Sequence, residues 1–258
     1  FSLQELEAAL IEHKPAILAL VHAETSTGVC QPMDGIGDLC RQHDCLLLLD
    51  TVTSLGGVPL YIDDWKIDLA YSCSQKGLSC PPGLGPFTMG PRAEAKMEAR
   101  SSKVPNWYLD VSLLNKYWGS DRVYHHTAPV NMNFGMREAL RLLAEEGLDQ
   151  AWARHRSNAE ALWSGLEDLG LTMHVPYERR LPTLTTVRIP DGVDGKAFSQ
   201  HLLNTHGIEV GGGLGSLAGK IWRIGLMGFN STPENVNRLL NIFELELPKF
   251  SGSTAAAA

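Results

Sequence analysis

The stretch CLLLLDTVTSLGG (Cys45–Gly57) carries four consecutive leucines and ends its apolar run at Asp50. A continuous apolar run that is too short for a helix is typical of a strand buried in a parallel sheet. The stretch DLAYSCSQK (Asp68–Lys76) repeats the design, because the apolar run Leu69–Cys73 is followed closely by Lys76. Ligands of open α/β sheets bind outside the carboxyl ends of the strands. The two stretches therefore predict a ligand site that contains Asp50 and Lys76.

An aspartate and a lysine presented together are the two groups that pyridoxal 5'-phosphate (PLP) chemistry requires. The lysine amine forms a Schiff base with the PLP aldehyde and then carries a proton, and the carboxylate keeps the pyridine nitrogen protonated. The same pair would also fit a surface ion pair or two unrelated loop residues. The pair alone leaves these alternatives open.

The composition is that of an ordinary globular protein, with 258 residues, 44% of them hydrophobic and 20% charged. This length allows one large domain or two modest ones. The formal net charge of -7 argues against nucleic-acid binding. No apolar run approaches the roughly 20 residues of a membrane-spanning helix. We expect a soluble intracellular protein, and the sequence does not resolve peroxisome, mitochondrion or cytoplasm.

Five cysteines, at positions 30, 40, 45, 73 and 80, lie largely in or beside apolar runs and are interpreted as reduced thiols. Cys73 and Cys80 lack the spacing and histidine partners of a zinc site. The adjacent pair His125 and His126 has no carboxylate close in sequence and is interpreted as structural. The sequence therefore predicts no metal site.

Apolar spacing and breaker residues predict alternating helices and strands in the first part of the chain. A capping box, Ser2–Glu5, opens the helix Ser2–His13, and the strand Ala16–Val21, predicted to be buried, and the helix Asp34–His43 precede Cys45. A strand, a helix and a strand in about 30 residues predict a right-handed parallel crossover. The remaining elements predicted here are the strands Pro59–Ile62, Asp68–Cys73 and Gly85–Met89 and the helix Pro91–Arg100.

The second part of the chain begins with two long predicted helices that meet at Gly147. Beyond them, short strands and helices predict an α+β unit. The predicted elements are the helices Asn131–Glu146, Leu148–Leu169, Lys196–Asn204 and Pro233–Leu247 and the strands Leu171–Val175, Leu184–Ile189, Ile208–Val210 and Lys220–Ile224. We place a large domain in residues 1–150, a small domain in 151–250, and a disordered tail or expression remnant in 251–258.

Several motifs together resemble the alanine–glyoxylate and serine–pyruvate aminotransferases, which are class V, fold-type I PLP enzymes. The resemblance covers nearly all of the chain, and the motifs that carry it are LLLLDTVTSLGG, SCSQKGLSCPPGLGPF (Ser72–Phe87), VHAETSTGV (Val21–Val29), YHHTAP (Tyr124–Pro129), GGGLG (Gly211–Gly215) and WRIGLMG (Trp222–Gly228). The resemblance implies a three-layer α/β/α large domain with a mostly parallel sheet and a smaller α+β C-terminal domain. It also implies PLP-dependent transamination between alanine or serine and glyoxylate or another 2-oxo acid.

The resemblance assigns roles to residues at the predicted sheet edge. Lys76 becomes the Schiff-base lysine, and Asp50 becomes the partner of the pyridine nitrogen. Gln75 stands where cysteine desulfurases, which look similar, carry a histidine. Thr25 matches the position whose hydroxyl faces the phenolic oxygen of the cofactor, although a local turn would also explain it.

Three further positions follow from the same resemblance. Tyr124 and Thr127 match residues that reach across a homodimer to the cofactor phosphate of the partner subunit. Arg223 matches the arginine that binds the substrate α-carboxylate, for which a guanidinium offers two parallel donors. Arg179 and Arg180 are rivals for that role.

The chain begins at Phe1 without a methionine, and we expect it to be part of a larger protein. The segment that holds the cofactor phosphate in this family has no counterpart in the sequence. Three alternatives stay open: a 3-hydroxykynurenine transaminase, a PLP lyase related to desulfurases or kynureninases, and a non-catalytic fragment with an incomplete cofactor site.

Overall fold

The computed structural model describes residues 1–251. Its helices and strands alternate largely as predicted. Its helices are α1 (Leu3–His13), α2 (Ile36–Gln42), α3 (Pro91–Glu98), α4 (Val111–Trp118), α5 (Val130–Glu146), α6 (Leu148–Asp168), α7 (Gly195–His206) and α8 (Pro233–Glu246). Its strands are β1 (Ile17–Val21), β2 (Ala23–Glu24), β3 (Val29–Cys30), β4 (Leu46–Asp50), β5 (Leu69–Tyr71), β6 (Phe87–Met89), β7 (Leu184–Arg188), β8 (Gly211–Gly212) and β9 (Ile221–Gly225). The predicted tail, apart from residue 251, lies outside the described residues.

The first sheet has the strand order β1-β4-β5-β6. The pairs β1–β4 and β4–β5 are parallel, and β6 joins antiparallel to β5. The register places Asp50 opposite Val21 on one side and Tyr71 on the other. The predicted α/β fold with a mostly parallel sheet is therefore confirmed, and Asp50 lies at the shared carboxyl edge of three strands.

One face of this sheet packs against α1 and α2. Leu47 and Leu49 of β4 are fully buried there, together with Leu10 and Ile36 from the two helices. The opposite face is covered less within the described residues, because Ile17 of β1 is 45% exposed. Strand β1 was predicted to be buried, and the structure corrects this: its burial alternates, since helices α1 and α2 cover only one side.

The predicted strand Pro59–Ile62 is absent, and the segment is irregular. Pro59 has no amide hydrogen to donate to a ladder. The Ile62 carbonyl instead accepts a hydrogen bond from the Ile67 amide, at 2.9 Å, within a turn. Leu60 and Ile62 still pack against the core cluster. The apolar alternation in this segment therefore reflects packing and not strand pairing.

The predicted strands Leu171–Val175 and Ile208–Val210 are also wrong. The first amide of each segment donates a hydrogen bond to a carbonyl at the end of the preceding helix. The Leu171 amide donates to the Leu166 carbonyl, and the Ile208 amide donates to the Leu202 carbonyl. Leu171–Val175 consequently makes a single bridge to β7, and pairing after α7 begins only at β8. The side chains of Leu171 and Val210 are nevertheless buried, which explains why their pattern resembled strands.

Strands β2 and β3 pair in a small antiparallel sheet, and the second part of the chain forms a three-stranded antiparallel sheet of order β7-β9-β8. Helices α6, α7 and α8 enclose its core, in which Trp163, Phe198, Trp222 and Phe243 are at most 2% exposed. The two largest core clusters thus lie in different parts of the chain, which supports the division near residue 150, although that boundary stays a prediction. Among residues 1–251, no helix has the length and apolar character needed to cross a membrane.

Two helical glycines allow a matched test of the packing of α2. A Cβ atom on Gly37 would lie 2.0 Å from the Trp65 carbonyl oxygen, whereas one on Gly135 would lie 3.6 Å from its nearest neighbour, the Cys80 Sγ. We expect Gly37→Ala to lower the free energy of unfolding by about 1–3 kcal/mol through overpacking. Gly135→Ala should raise it by up to about 1 kcal/mol because alanine favours helix. Urea unfolding of both variants checks this, and equal effects would contradict it.

Candidate active site

Asp50 lies half-buried at the end of β4, and two neighbours hold its carboxylate. The Val52 amide donates to Oδ1 at 2.8 Å, and the Tyr71 hydroxyl donates to Oδ2 at 2.7 Å. This hydrogen bond to the carboxylate raises the pKa of Tyr71 to about 12, so the phenol stays protonated at neutral pH. A carboxylate has about four acceptor sites, and Asp50 therefore retains capacity for a ligand donor.

The loop that follows β5 is braced by Ser74. The Ser74 hydroxyl donates to the Pro81 carbonyl at 2.7 Å. The Ser74 amide donates to the Leu84 carbonyl, and the Ser74 carbonyl accepts from the Cys80 amide. Lys76 lies half-buried within this loop, and its carbonyl accepts from the Ser79 amide at 2.9 Å. No hydrogen bond or ion pair engages the Lys76 amine within residues 1–251. The loop backbone is thus fixed while the amine stays available.

A second contact anchors this loop to the segment that follows β9. The Phe229 amide donates to the Ser79 hydroxyl at 2.8 Å. Gly228 adopts a φ of +60°, and a Cβ atom there would lie 2.0 Å from the Ser79 Oγ. Only glycine fits at this position, because both the backbone angle and the close approach exclude a side chain. The Lys76 loop and the 228–229 segment therefore pack backbone against backbone.

His155 on α6 fixes the same segment from the other side. Its Nδ1 lies 2.6 Å from the Ala151 carbonyl oxygen, so this nitrogen carries the hydrogen and donates. Nε2 is then an acceptor, and it receives the Gly228 amide at 2.8 Å. The ring is fully buried, and burial lowers the pKa of His155. A neutral histidine thus holds Gly228 in place, and Arg154 binds the Gly228 carbonyl at 2.9 Å.

Arg223 of β9 reaches the loop of Thr25, which lies near the other sheet. Its Nη1 donates to the Thr25 carbonyl at 3.3 Å, and its Nε donates to the Gly212 carbonyl at 2.7 Å. A guanidinium has five N–H groups, so most donors of Arg223 stay available. The structure therefore brings the predicted residues Arg223 and Thr25 into direct contact across 198 positions of sequence.

The rival arginines are placed differently. Arg180 is engaged by the Glu167 carboxylate at 2.6 Å and by the Val175 carbonyl at 3.0 Å. Arg179 is exposed in a short 3-10 turn. Within the described residues, the side chains of these two arginines form no hydrogen bond with the loops that carry Thr25 and Lys76. The geometry consequently favours Arg223 for a ligand at the carboxyl edge.

The aromatic segment places Tyr124 and Thr127 on the surface. Tyr124 is 72% exposed, and its hydroxyl lies 3.1 Å from the Thr127 hydroxyl. His125 is buried, stacks on Trp107 with ring centroids 4.0 Å apart, and lies 2.9 Å from the adjacent ring nitrogen of His126. This packing agrees with a structural role for the two histidines. Gln75 is exposed beside Lys76 and makes no side-chain hydrogen bond within residues 1–251.

A cavity of about 530 Å³ lies between the segment around His22–Asp34, the segment Gly57–Trp65 and the first turns of α6. Its walls include His22, Cys30, Trp65 and Trp152, but not Asp50, Lys76 or Arg223. Burial lowers the pKa of His22 to about 4 and raises the pKa of the Cys30 thiol to about 11, so both are neutral at pH 7. The three predicted residues therefore do not line this cavity.

Sequence reasoning missed Tyr71, Ser79 and His155. Tyr71 could have been found, since a parallel register that ends at Asp50 places it opposite. Ser79 and His155 act through the 228–229 segment, which is distant in sequence, and no local pattern indicates such contacts. All five cysteines are free thiols.

The fold and the candidate site define a class of protein: an α/β protein in which an aspartate ends one parallel strand and a lysine follows the next. Comparison with known families agrees, because the model of the aminotransferase class-V family matches residues 1–239. The chain belongs to the aminotransferase class-V family.

Three individual relatives show which members of the family the chain is similar to. The alanine–glyoxylate aminotransferase of Oryctolagus cuniculus is 48% identical over 243 residues, which are 93% of this chain and 62% of the relative. The crystal structure of an alanine–glyoxylate aminotransferase from Nostoc sp. has a TM-score of 0.93 and 65% identity, covering 95% of this chain and 65% of that one. The crystal structure of a ureidoglycine–glyoxylate aminotransferase from Bacillus subtilis has a TM-score of 0.94 and 38% identity, and the match covers 100% of this chain and 66% of that one. The chain thus spans less than two thirds of the first two relatives.

The role of His155 can be tested with two variants. His155→Leu leaves the buried Gly228 amide without an acceptor, which should cost about 1–3 kcal/mol of stability. His155→Gln keeps an acceptor near the position of Nε2 and should lose less. Hydrogen exchange followed by mass spectrometry should show faster exchange at residues 226–231 in the leucine variant, with β4 unchanged. Equal exchange in both variants would contradict the assigned hydrogen bond.

The same histidine gives a pH dependence with a definite sign. Because the pKa of His155 is lowered in the folded protein, the unfolded chain takes up a proton below about pH 6.5 that the folded chain does not. The stability of the protein should therefore decrease as the pH falls from about 7 to 5, and less steeply in His155→Gln. Urea unfolding of both proteins across this pH range measures the difference, and parallel pH profiles would contradict it.

Proposed function

We propose that the protein is a PLP-dependent aminotransferase that moves an amino group between alanine or serine and glyoxylate or another 2-oxo acid. One observation carries the proposal: Asp50 ends β4 opposite Tyr71 of the parallel strand β5, which the Lys76 loop follows, and Arg223 donates to the carbonyl of Thr25 in the loop after β1. The names of the relatives from Oryctolagus cuniculus and Nostoc sp. support the acceptor, since both include glyoxylate.

The residues present fit PLP in two respects. The Lys76 amine has no competing partner within residues 1–251, and the Asp50 carboxylate is oriented by Val52 and Tyr71 while retaining acceptor capacity. When bound, PLP supplies an aldehyde that receives the amino group and a pyridine ring that stores the electrons released at the substrate α-carbon. Asp50 would hold the ring nitrogen protonated, with Thr25 toward the phenolic oxygen and Gln75 beside the lysine.

Lys76 would carry the proton in each half-reaction. Its amine would remove the α-proton of the donor amino acid in one half-reaction and would return a proton to the α-carbon derived from the 2-oxo acid in the other. The fixed backbone of the loop, braced by Ser74 and Ser79, would hold the amine near both carbons. The role of Tyr71 is to keep the Asp50 carboxylate in one orientation.

Arg223 would bind the α-carboxylate that donor and acceptor share. Its contacts use backbone carbonyls of Thr25 and Gly212 as acceptors, so its charge is not neutralised by a carboxylate within residues 1–251. A guanidinium pairs with a carboxylate through two parallel hydrogen bonds, which orients the α-carbon. One arginine can therefore serve both half-reactions.

A homodimer would complete the site. The hydroxyls of Tyr124 and Thr127 are hydrogen-bonded to each other, Tyr124 is largely exposed, and within residues 1–251 neither side chain bonds to Asp50 or Lys76. Two aromatic side chains of the same region, Trp107 and Trp118, are 56% and 66% exposed, as expected of an interface. We propose that Tyr124 and Thr127 bind the cofactor phosphate of the partner subunit.

Absorbance spectroscopy tests the proposed chemistry directly. The purified protein with PLP should show the band of lysine-bound cofactor between about 300 and 500 nm, lose it on addition of L-alanine, and regain it with glyoxylate. Lys76→Ala should lower turnover by about 100-fold to 10,000-fold or more, because the proton carrier is removed. Asp50→Asn should lower turnover by at least about 100-fold.

Lys103→Ala, at an exposed position, is the matched control and should behave like wild type. Near-full turnover of Lys76→Ala would overturn the proposal. The rates with serine, ureidoglycine and 3-hydroxykynurenine as amino donors show which kind of transaminase the protein is. Release of sulfide from cysteine would reveal a lyase of the desulfurase type.

A second test asks whether Arg223 or its rival Arg179 binds the substrate carboxylate. Arg223→Gln should raise the KM of both alanine and glyoxylate by about 10-fold to 100-fold, because a charge-assisted pair worth about 1.5–3 kcal/mol is lost. Arg223→Lys should recover only part of this, since lysine cannot bind two oxygens in parallel. Arg179→Gln should leave KM unchanged. Steady-state kinetics decides the point, and an equal effect of the two glutamine variants would contradict the assignment.

A further inference from the structure

A second group of ionisable side chains lies where α7 and α8 end, and the transamination site does not use it. His201, His206 and Glu246 present one nitrogen or oxygen atom each, all within 4.8 Å of one another. His201 Nε2 lies 2.7 Å from one oxygen of Glu246, and His206 Nε2 lies 3.5 Å from the other. Two imidazole nitrogens and a carboxylate thus converge on a small volume.

The imidazole rings are oriented by their surroundings. The Nδ1 of His201 lies 3.2 Å from the Thr205 hydroxyl, and its ring packs against Phe250 at 5.2 Å. Such a contact to the second nitrogen is how metal-binding histidines are usually held. The Nε2 of His206 is buried without a hydrogen-bond partner in the described residues, since its contact with Glu246 is not aligned as a hydrogen bond. Buried polar atoms are rarely left unpaired, and an ion is one explanation.

Glu246 has an environment that calls for a cation. It is the last residue of α8 and is only 5% exposed. A carboxylate at the negative end of a helix dipole is unfavourable, and a buried carboxylate needs a positive partner. Lys249 supplies one at 2.9 Å from Oε1, although its side chain is 57% exposed. The ammonium group of Lys249 and a metal ion would compete for the same oxygen.

We propose that His201, His206 and Glu246 form a binding site for a divalent transition metal with the preferences of Zn²⁺. The donor set of two histidines and one glutamate is one that zinc uses, with a solvent molecule as fourth ligand. Ligand atoms around a tetrahedral zinc ion lie about 3.4 Å apart, given bond lengths of about 2.0–2.1 Å. The 3.5 Å separation between His206 Nε2 and Glu246 Oε1 matches this distance. His201 Nε2, which lies 2.7 Å from Glu246 Oε2, would have to move away from that oxygen to make room for the ion. Two imidazoles disfavour Ca²⁺ and Mg²⁺, which prefer oxygen.

Such a metal would fasten the end of α7 to the end of α8. The sequence did not predict this site, because His201 and Glu246 are 45 positions apart and belong to no metal-binding motif. Lys249 would act as a built-in competitor that occupies the carboxylate in the metal-free protein.

Calorimetric titration of the PLP-loaded protein with Zn²⁺ tests the proposal. His201→Gln and His206→Gln should each weaken Zn²⁺ binding at one site by at least about tenfold, a loss typical of a removed ligand or its support. Lys249→Met should strengthen binding, because the competing ammonium is removed. His13→Gln, at an exposed histidine of α1, is the control and should leave binding unchanged.

Co²⁺ provides a second probe that distinguishes this site from the free cysteines. Nitrogen and oxygen ligands give visible Co²⁺ bands without the intense sulfur charge-transfer absorption of thiolate sites. We expect such bands in wild type and in the control His13→Gln, and their loss in His206→Gln. Unchanged affinity in both histidine variants, or weaker binding in Lys249→Met, would overturn the proposal.

Discussion

The parallel pairing of β4 with β1 and β5 is the constraint on which the site depends. It aligns Val21, Asp50 and Tyr71 at one edge, so that the loops after all three strands leave the sheet on the same side. Thr25 and Lys76 follow on the loops after β1 and β5, the two strands that flank β4, so both loops leave the sheet at the edge where Asp50 lies. The leucine-rich β4 can hold this central place because helices bury its side chains, and the register then fixes which residue comes last.

The second part of the chain contacts this edge through hydrogen bonds that each join a side chain to a backbone group. Arg223 binds the Thr25 carbonyl, and Ser79 accepts the Phe229 amide. His155 and Arg154 hold Gly228 by its amide and carbonyl, so the segment that touches the Lys76 loop is itself fixed by α6. A buried neutral histidine suits this role because it pairs both nitrogens without the cost of burying a charge. The two core clusters are thereby joined at the point where chemistry is proposed.

The sequence alone predicted what local physics determines. Short apolar runs indicated β4 and β5, a capping box indicated the start of α1, and the strand ends indicated Asp50 and Lys76. The errors at Pro59–Ile62 and Ile208–Val210 arose because alternating burial does not require strand pairing. Contacts such as that of His155 with Gly228 depend on tertiary packing, which single-sequence patterns do not contain.

The charge around Arg223 explains why this arginine differs from the others. Arg92, Arg154 and Arg180 each pair with a carboxylate, so their positive charges are largely neutralised in structural ion pairs. Arg223 is positioned instead by neutral carbonyl groups, which fix the guanidinium without cancelling its charge. In a chain with a formal net charge of -7, the uncancelled positive charge of Arg223, next to the Thr25 loop, attracts anions locally. A small carboxylate is the ligand that such a site would select, because it matches both the charge and the fork of donors.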